Sequence, residues 1–581
     1  MNIAEKSALI WNIAGTIYGL YKPHEYGEVI LPMTVIKRFH DTLLPTRDKV
    51  LAEAEKRNNI AIKEGFLCRA SGYKFYNTSL FTFENLLADS ENIESNFRAY
   101  LNGFSENVQD VLENFDMDIH ITKLAKNGKL YQVIQEFNGE KGYMGADKIS
   151  STDMGYIFED LVKRFSESYN ENAGAHFTSR DIIYLMTDVL LNSDKTILES
   201  EGVAKSIYDQ TMGTSQMLTA MQERLMLLDR DAEVALYGQE LNPKTYAIAK
   251  ADMLIRGGNP DNMQLGNTLT DDKFDGYNFD YCISNPPFGI EWKSEYDSVK
   301  KEHDLGGAGR FAPGLPKRNN GQMLFMLNGL SKLKDTGRMA IILNGSSLFT
   351  GAAGSGESEI RRYVLENDWL EAIIQLPNGV FYNTDIATYI WIFAKDKEPY
   401  RKGKVQLIDA SSMYENRRKN IGDKRVDITE ECRGCIVQAY GDFMDREYTI
   451  EEKRLESKIF DNESFGFSKV VVETPLKDED GNLVVKKGKK QPDTSLRDTE
   501  DVPLTEDIDE YFEREIKPFN PESWINKNKT KVGYEIPFTR LFYNYVAPES
   551  TNVIAERIKV LEEEIVKSFE LLSGKDVEVD G

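Results

Sequence analysis

The sequence predicts an α/β protein: a doubly wound, largely parallel sheet, preceded by a helical N-terminal domain and followed by a helical C-terminal tail. Three observations carry this. Apolar residues recur at helical spacing through the first 150 residues. From about residue 205, short apolar runs alternate with helical stretches, which is how strand–helix–strand units read. The tips of four successive predicted strands each carry a polar residue, and in such sheets ligands bind outside the carboxyl ends of the strands.

Length and charge bound the answer. A chain of 581 residues is too long for one core, and 41% hydrophobic content is enough for ordinary globular domains. The expected units are 1–150 (helical), 151–440 (sheet and helices), 441–550 (hairpin and linker) and 551–581 (a partner-binding helix). No apolar run reaches the roughly 18 to 20 residues of a membrane span. Met1–Lys6 lacks the basic-then-apolar pattern of a secretory signal. Four cysteines in this length point to a reducing, cytoplasmic setting. The net charge of −24 is unlike that of a protein that grips nucleic acid alone. Either a local basic patch hides in the sum, or another subunit supplies most of the grip.

In chain order, Leu9, Ile10, Ile13, Ile17 and Leu20 mark a first helix. The Tyr21–Gly27 stretch breaks it, and Val29–Phe39 begins another; 81–100 and 108–115 add more. His24, His40 and His120 stand isolated in this region, so structural roles are expected for them. Met154–Phe165 is an amphipathic helix, and Thr178 or Ser179 is suited to cap the helix that follows. That terminus is also a natural seat for an anionic group.

Strands are then expected to end at Asp209, at Glu240, before Asn267 and at Ser284, with helices near 216–228 and 242–256 between them. Further on come a helix at 322–333, a strand at 338–343, a helix at 359–367, and strands at 370–375 and 389–394. Asp209 and Gly213 mark a close turn after the first strand, and the Glu240 carboxylate suits both hydroxyls of a ribose. Asn285-Pro286-Pro287-Phe288 follows the fourth strand. Two prolines stiffen it, the Asn285 side-chain oxygen and the Pro286 carbonyl offer two acceptors for one amino group, and Phe288 offers a stacking face. An enzyme that alters a base must take it from the helix, grip its polar edge and stack its face. Residue types alone leave a generic nucleotide site and a methyl-donor site equally open.

The order His176-Phe177-Thr178, Asp209…Gly213-Thr214, Glu240, Asn285-Pro286-Pro287-Phe288 resembles the γ-class of S-adenosylmethionine-dependent amino-methyltransferases acting on DNA. Trp11-Asn12-Ile13-Ala14, Tyr21–Gly27 and Ile30-Leu31-Pro32, with Ile373–Pro377 and Phe381–Thr384, narrow the resemblance to the modification (M) subunit of type I restriction–modification systems. The resemblance spans roughly residues 8 to 395 and implies a Rossmann-like methyltransferase sheet. It implies N6 methylation of adenine in DNA, with S-adenosyl-L-methionine as donor. His176, Phe177, Thr178, Asp209, Gly213, Thr214, Ser215, Glu240 and Asn267 would seat the donor. Asn285, Pro286 and Phe288 would hold the flipped adenine; no metal is implied. The partners implied are DNA, a specificity (S) subunit that reads the target, a second M subunit and, left open, a restriction (R) subunit. Three positions depart from the family's pattern. Ser215 stands where a glycine lets backbone approach the donor, so a reshaped pocket is expected, and Met212 replaces a small residue. Asn267 stands where a carboxylate often meets the donor's adenine.

In the remaining third, Arg310, Lys317 and Arg318 lie on a loop and are candidates to touch DNA phosphates, with a mobile solvated loop as the equal alternative. Cys432-Arg433-Gly434-Cys435 is one pair, short of the four ligands of structural zinc. Val470–Val472 and Leu483–Val485 read as a hairpin, Lys486–Lys490 as a basic run for DNA, a partner or solvent, and 491–515 as an acidic linker. Ile554, Ile558, Leu561, Ile565 and Leu572 form an apolar stripe near coiled-coil spacing. Three alternatives stand beside the M-subunit reading: a catalytically silent scaffold that binds the S subunit, a stand-alone adenine methyltransferase, and an enzyme that methylates RNA or protein.

Overall fold

The structure is a computed structural model. It describes residues 3–56, 60–139, 142–150, 153–158, 160–161, 178–192, 194, 202–382, 384–486, 488–543 and 550–572. The chain divides into two compact units, Met1–Ile536 and Pro537–Gly581.

The first unit opens with helices, from Ile3–Thr16 to Leu130–Asn138. Helix Tyr26–Leu43 is central to this layer: nearly every side chain along it is buried, and it continues through Pro32. Its buried Asp41 accepts from the Met144 amide and from Lys37. His40 and His120 are structural, as expected, bonding the hydroxyls of Tyr100 and Tyr21. Burial pushes the His40 imidazole down to about 3, so it stays neutral. The apolar core of this layer is shared: Val108 and Val111 lie in one cluster with Ile248, Ala251 and Leu254 of helix Pro243–Ile255. Lys250 and Tyr246 of that helix both reach Asp110, at 2.6 and 3.1 Å.

A ten-stranded sheet follows. Its strands are β1 (Ala204–Asp209), β2 (Glu233–Glu240), β3 (Met263–Leu265), β4 (Phe279–Ser284), β5 (Leu333–Asn344), β6 (Leu370–Gln375), β7 (Thr388–Ala394) and β8 (Lys404–Asp409). After a separate hairpin of β9 (Glu415–Ile421) and β10 (Lys424–Asp427), β11 (Arg446–Ile450) and β12 (Lys453–Asp461) complete it. The order is β11-β12-β8-β6-β7-β5-β4-β1-β2-β3. Strands β3-β2-β1-β4-β5 are parallel, whereas β7 runs antiparallel to both β5 and β6. The strand order reverses beside β1, so the tips of β1 and β4 flank the crevice where such sheets bind ligands.

The other half of the sheet is held by a buried charge cluster. Glu371 accepts from Arg338 and from the Tyr440 hydroxyl, both at 2.6 Å, with Arg401 3.7 Å away. A carboxylate between two guanidinium groups stays ionised despite full burial.

Three expectations for the C-terminal third are corrected. The sheet does not stop at 440, since β11 and β12 extend it. Val470–Val472 pairs not with 483–485 but, as part of β13 (Gly466–Pro475), with β16 (Pro492–Pro503). Between them β14 (Val485–Lys486) and β15 (Lys489–Lys490) make a tight exposed turn out of the basic run. The 491–515 stretch is therefore a strand followed by helix Ile508–Tyr511, not a linker. β16 is an edge strand, because β13 pairs on its other side with β17 (Trp524–Ile525) and β18 (Lys531–Tyr534). Charged side chains are what an exposed edge carries to discourage further pairing, and that composition mimics a linker. The fully buried Arg361 fixes this sheet to the larger one, donating to the Tyr534, Ser347 and Thr350 carbonyls.

In the second unit, helix Thr551–Leu572 exposes Ile554, Ile558, Leu561 and Ile565, each 42–55% accessible.

Candidate active site

A cavity of about 490 Å³ opens at the carboxyl ends of the parallel strands. Among its walls are Thr178, the Gln210–Thr214 loop after β1, Glu240, Asn267, Asn285 and Trp292. The crevice thus brings together, from one sequence span of more than 100 residues, half of the site residues singled out above: Thr178, Gly213, Thr214, Glu240, Asn267 and Asn285.

The loop after β1 is shaped by backbone bonds. Gly213 has φ +55° and donates its amide to Glu240 Oε2 at 2.9 Å. Glu240 Oε1 accepts from the Asn242 amide at 2.8 Å. The carboxylate is thereby pinned at the tip of β2, with further lone pairs toward the cavity. Thr214 lines the cavity too. Met212 is accommodated by the strand beneath it: a Cβ on Gly238 would lie 2.3 Å from the Met212 sulfur.

Two of the expected donor residues are second to the wall. Asp209 is fully buried and accepts from the Thr211 amide at 3.0 Å. Burial pushes its carboxyl up to about 7, with the Glu240 charge acting in the same direction. Ser215 is also fully buried, in the left-handed region at φ +65°, and its hydroxyl has no hydrogen-bond partner among the described residues. It is outside the cavity lining, so the expected reshaping of the pocket by its side chain is not what the geometry displays. The strain falls on the backbone instead.

Asn267 lines the cavity, its oxygen accepting from the Leu269 amide at 3.0 Å and its amide donating to Glu295 Oε1 at 3.1 Å. A carboxylate is therefore present beside position 267, delivered by Glu295, which also lines the cavity. Sequence reasoning passed over Glu295, and likewise Gln210 and Trp292. Gln210 Nε2 is buried without a partner among the described residues, while its Oε1 accepts from Asn328 at 2.7 Å. Trp292 is 1% exposed, its indole donating to the Lys317 carbonyl at 2.9 Å. The available signal was proximity: both Trp292 and Glu295 lie within ten residues of Asn285.

Asn285 sits immediately beyond β4. Ser284, the last residue of that strand, meets Thr211 of the β1 loop, oxygen to oxygen at 3.0 Å. Asn285 Nδ2 donates to Thr178 Oγ1 at 2.8 Å, and Asn285 Oδ1 is buried with no partner among the described residues. Pro287 lines the cavity; Pro286 is buried beneath it, and Phe288 is half-buried, set edge-on to Phe381 at 5.8 Å. His176 and Phe177 lie outside the described residues. Thr178 lines the cavity, and the hydroxyl of Ser179 meets Lys424 Nζ, which also bonds Asp181 and the Val380 carbonyl.

Arg310 is a correction. It is not free for phosphates, since its guanidinium bonds Glu302, Asn328 and the Thr268 carbonyl within 2.8 Å. Lys317 and Arg318 are exposed, and Arg318 lies 3.7 Å over the Tyr296 ring. No described helix is long and apolar enough to cross a membrane.

The arrangement can hold a nucleoside-bearing ligand against Glu240 and present an unsatisfied acceptor, Asn285 Oδ1, to an amino group. Comparison with known proteins gives the family. The chain is 26% identical over 450 residues to the type I restriction enzyme MjaIX methylase subunit of Methanocaldococcus jannaschii, covering 74% of this chain and 76% of the relative. It is 28% identical over 283 residues to the HindI methylase subunit of Haemophilus influenzae, covering 47% and 57%. Among solved structures, the methyltransferase subunit of a type I restriction–modification system from Streptococcus thermophilus shares the fold, with TM-score 0.61 and 22% identity over 80% of this chain and 97% of that one. Residues 7–137 match the HsdM N-terminal domain, and residues 150–496 match the N-6 DNA methylase family. The latter match spans more than half of the 581 residues: the chain belongs to the N-6 DNA methylase family, as an adenine-specific DNA methyltransferase of the type I modification-subunit kind.

Proposed function

We propose that this chain transfers a methyl group from S-adenosyl-L-methionine to N6 of an adenine flipped out of DNA, in an assembly of two such subunits with one specificity subunit. The observation that carries the reading is that Asn285, whose buried Oδ1 has no partner among the described residues, lines the same cavity as Glu240.

The cavity suits the donor. Glu240 is placed to accept ribose hydroxyls, the Gly213 turn brings backbone close, and Asn267 with Glu295 faces the base end. The donor, when bound, supplies an electrophilic methyl on a sulfonium. The protein's part is positioning and electrostatics. Asn285 Oδ1 and the Pro286 carbonyl accept the two amino hydrogens of the adenine. That draws the nitrogen lone pair out of conjugation and aims it at the methyl. Phe288 stacks on the base, its plane fixed by Phe381. The two prolines keep both acceptors rigid.

The net charge of −24 supports a division of labour in which the specificity subunit contributes most of the DNA grip. The exposed apolar stripe of helix Thr551–Leu572 supports docking on that subunit. The test is co-expression with the cognate specificity subunit in a host lacking adenine methylation, beside Asn285→Ala. Sequence-specific N6-methyladenine that disappears in the variant is the expected result. A complex that forms yet neither binds the donor nor methylates DNA would overturn the enzyme reading in favour of a silent scaffold. Methylation of RNA or protein in preference to DNA would overturn the substrate.

A further inference from the structure

We propose that four exposed cations, Lys317, Arg318, Arg418 and Lys419, form a rim at the cavity that grips the DNA phosphates on either side of the flipped nucleotide. The inference rests on the reading of the cavity given above. A base swung out of a duplex takes its own sugar and phosphates with it, so the strand it leaves must lie across the mouth of the pocket. Positive charge fixed there meets the backbone whatever the neighbouring sequence. The four side chains come from two segments far apart in sequence, and each segment is fastened to a different part of the cavity wall.

The first segment is a packed turn, not a free solvated loop. Phe311 and Pro316 before it are buried. The Lys317 carbonyl accepts from the Asn320 amide at 2.9 Å, and the Lys317 amide donates to Glu357 Oε1 at 2.8 Å. Trp292, which lines the cavity, pins both basic residues through their backbones. Its indole donates to the Lys317 carbonyl at 2.9 Å and its amide to the Arg318 carbonyl at 3.0 Å. Tyr296 lies 5.5 Å from the Trp292 ring, and the Arg318 guanidinium lies 3.7 Å over Tyr296. Both basic side chains are left exposed.

The second segment is β9, which forms a two-stranded sheet with β10 and exposes Arg418 and Lys419. Its hairpin stands beside the target-base end of the cavity. Lys424 of β10 bonds Ser179, the neighbour of cavity-lining Thr178, and the Val380 carbonyl. The Asp423 and Arg425 amides donate to the Tyr382 and Gly379 carbonyls at 2.9 and 2.7 Å. Between those two carbonyls lies Phe381, whose ring meets Phe288. Among the described residues, none of the four cations has a carboxylate within 4.0 Å. Acids close by in sequence are engaged elsewhere: Glu291 by Lys293, Glu302 by Arg310, Asp427 by Arg417 and Glu415 by Lys453. In a chain of net charge −24, four cations left over beside one cavity are suited to an anionic partner.

The experiment uses the full chain assembled with its specificity subunit, and duplexes with and without the target site. DNA dissociation constants are measured over a series of salt concentrations. The proteins are wild type, Lys317→Gln/Arg318→Gln, Arg418→Gln/Lys419→Gln, the quadruple variant, and Lys489→Gln/Lys490→Gln from the exposed β15 turn. Each phosphate contact adds about 0.9 to the slope of log affinity against log salt. Either rim pair should therefore flatten the slope by about 1.8 and the quadruple variant by about 3.6, while the β15 pair should hold it within about 0.5. Target and non-target duplexes should weaken together, within about threefold of each other, because backbone contacts carry no sequence information. A further duplex carries uncharged methylphosphonates on both sides of the target adenine. It should bind wild type more weakly, and the same change should cost the quadruple variant about threefold or less, since the partners of those phosphates are gone.

An unaltered salt slope in the quadruple variant would overturn the proposal. Equal flattening by the β15 pair would also overturn it, by making the effect one of net charge and not of place. A methylphosphonate penalty of the same size in wild type and quadruple variant would show that the four cations act on other phosphates. Loss of the assembly itself in the quadruple variant would reassign the surface to the specificity subunit. A wild-type assembly that binds no donor and methylates no DNA would instead refute the reading of the cavity.

Discussion

Replacing Ser215 by glycine should stabilise the protein and leave donor binding intact. Ser215 holds φ +65° and ψ 15° at the start of helix Gln216–Leu228, a conformation that costs an L-residue about 1–2 kcal/mol. Its hydroxyl is buried and unpartnered among the described residues, which adds about 1–3 kcal/mol. Glycine removes both terms. Against that, the unfolded chain gains entropy worth about 0.4–1 kcal/mol, and a void of roughly 30 Å³ costs about 0.7 kcal/mol. The net is a gain of about 0.3–4 kcal/mol on these figures. For the 536 residues of the first unit an unfolding entropy of about 1.1 kcal/mol/K makes the expected calorimetric midpoint higher by about 0.3–3.5 °C. Donor titration should give an unchanged constant, because the side chain is outside the cavity lining. A lower midpoint, or donor binding weakened more than about threefold, would mean that the hydroxyl is engaged and the strain argument is wrong.

Three further outcomes follow from the site. The Asp209 carboxyl rises from 3.8 to about 7 on folding, so between those values the folded state holds more protons and stability falls as pH rises. The displacement corresponds to at most about 4 kcal/mol; Asp209→Asn should flatten urea-unfolding stability between pH 5 and 8, and an unaltered slope would refute the assignment. Glu240→Ala leaves the Gly213 and Asn242 amides without their acceptor, so donor affinity by calorimetric titration should fall at least about tenfold; unaffected binding would remove Glu240 from the donor site. Phe288→Ala should lower kcat/KM for DNA by about 5- to 150-fold, the equivalent of one lost base–aromatic stack, with donor affinity unchanged; a wild-type value would show that the ring serves only to pack on Phe381.

The parallel half of the sheet was legible because each strand there is a short apolar run ending on a polar tip. β1, β3 and β4 and helix Gln216–Leu228 end where those tips and the neighbouring turns place them. The edge strand β16 was not legible, because acidic residues that guard an edge look like those of a linker. Arg310 was misread for a related reason. Its partners Glu302, Asn328 and Thr268 reveal themselves only when the chain folds back, and spacing gives no hint of them. Glu295 likewise needed the structure, since it acts beside Asn267 from a different loop.

The apolar cluster shared by the N-terminal helices and helix Pro243–Ile255 bears on how this protein is made. During synthesis the leading helical layer emerges with one wall missing. Its closing helix is complete only at Ile255, 117 residues beyond Asn138, about 6–23 s at ordinary rates of elongation. For that interval Val108 and Val111 have no Ile248 or Leu254 to cover them, and the nascent chain carries a sticky face that chaperones are suited to shield. A fragment cut at residue 150 would keep that face permanently, so a cut beyond Ile255 is the sounder choice for any truncated form.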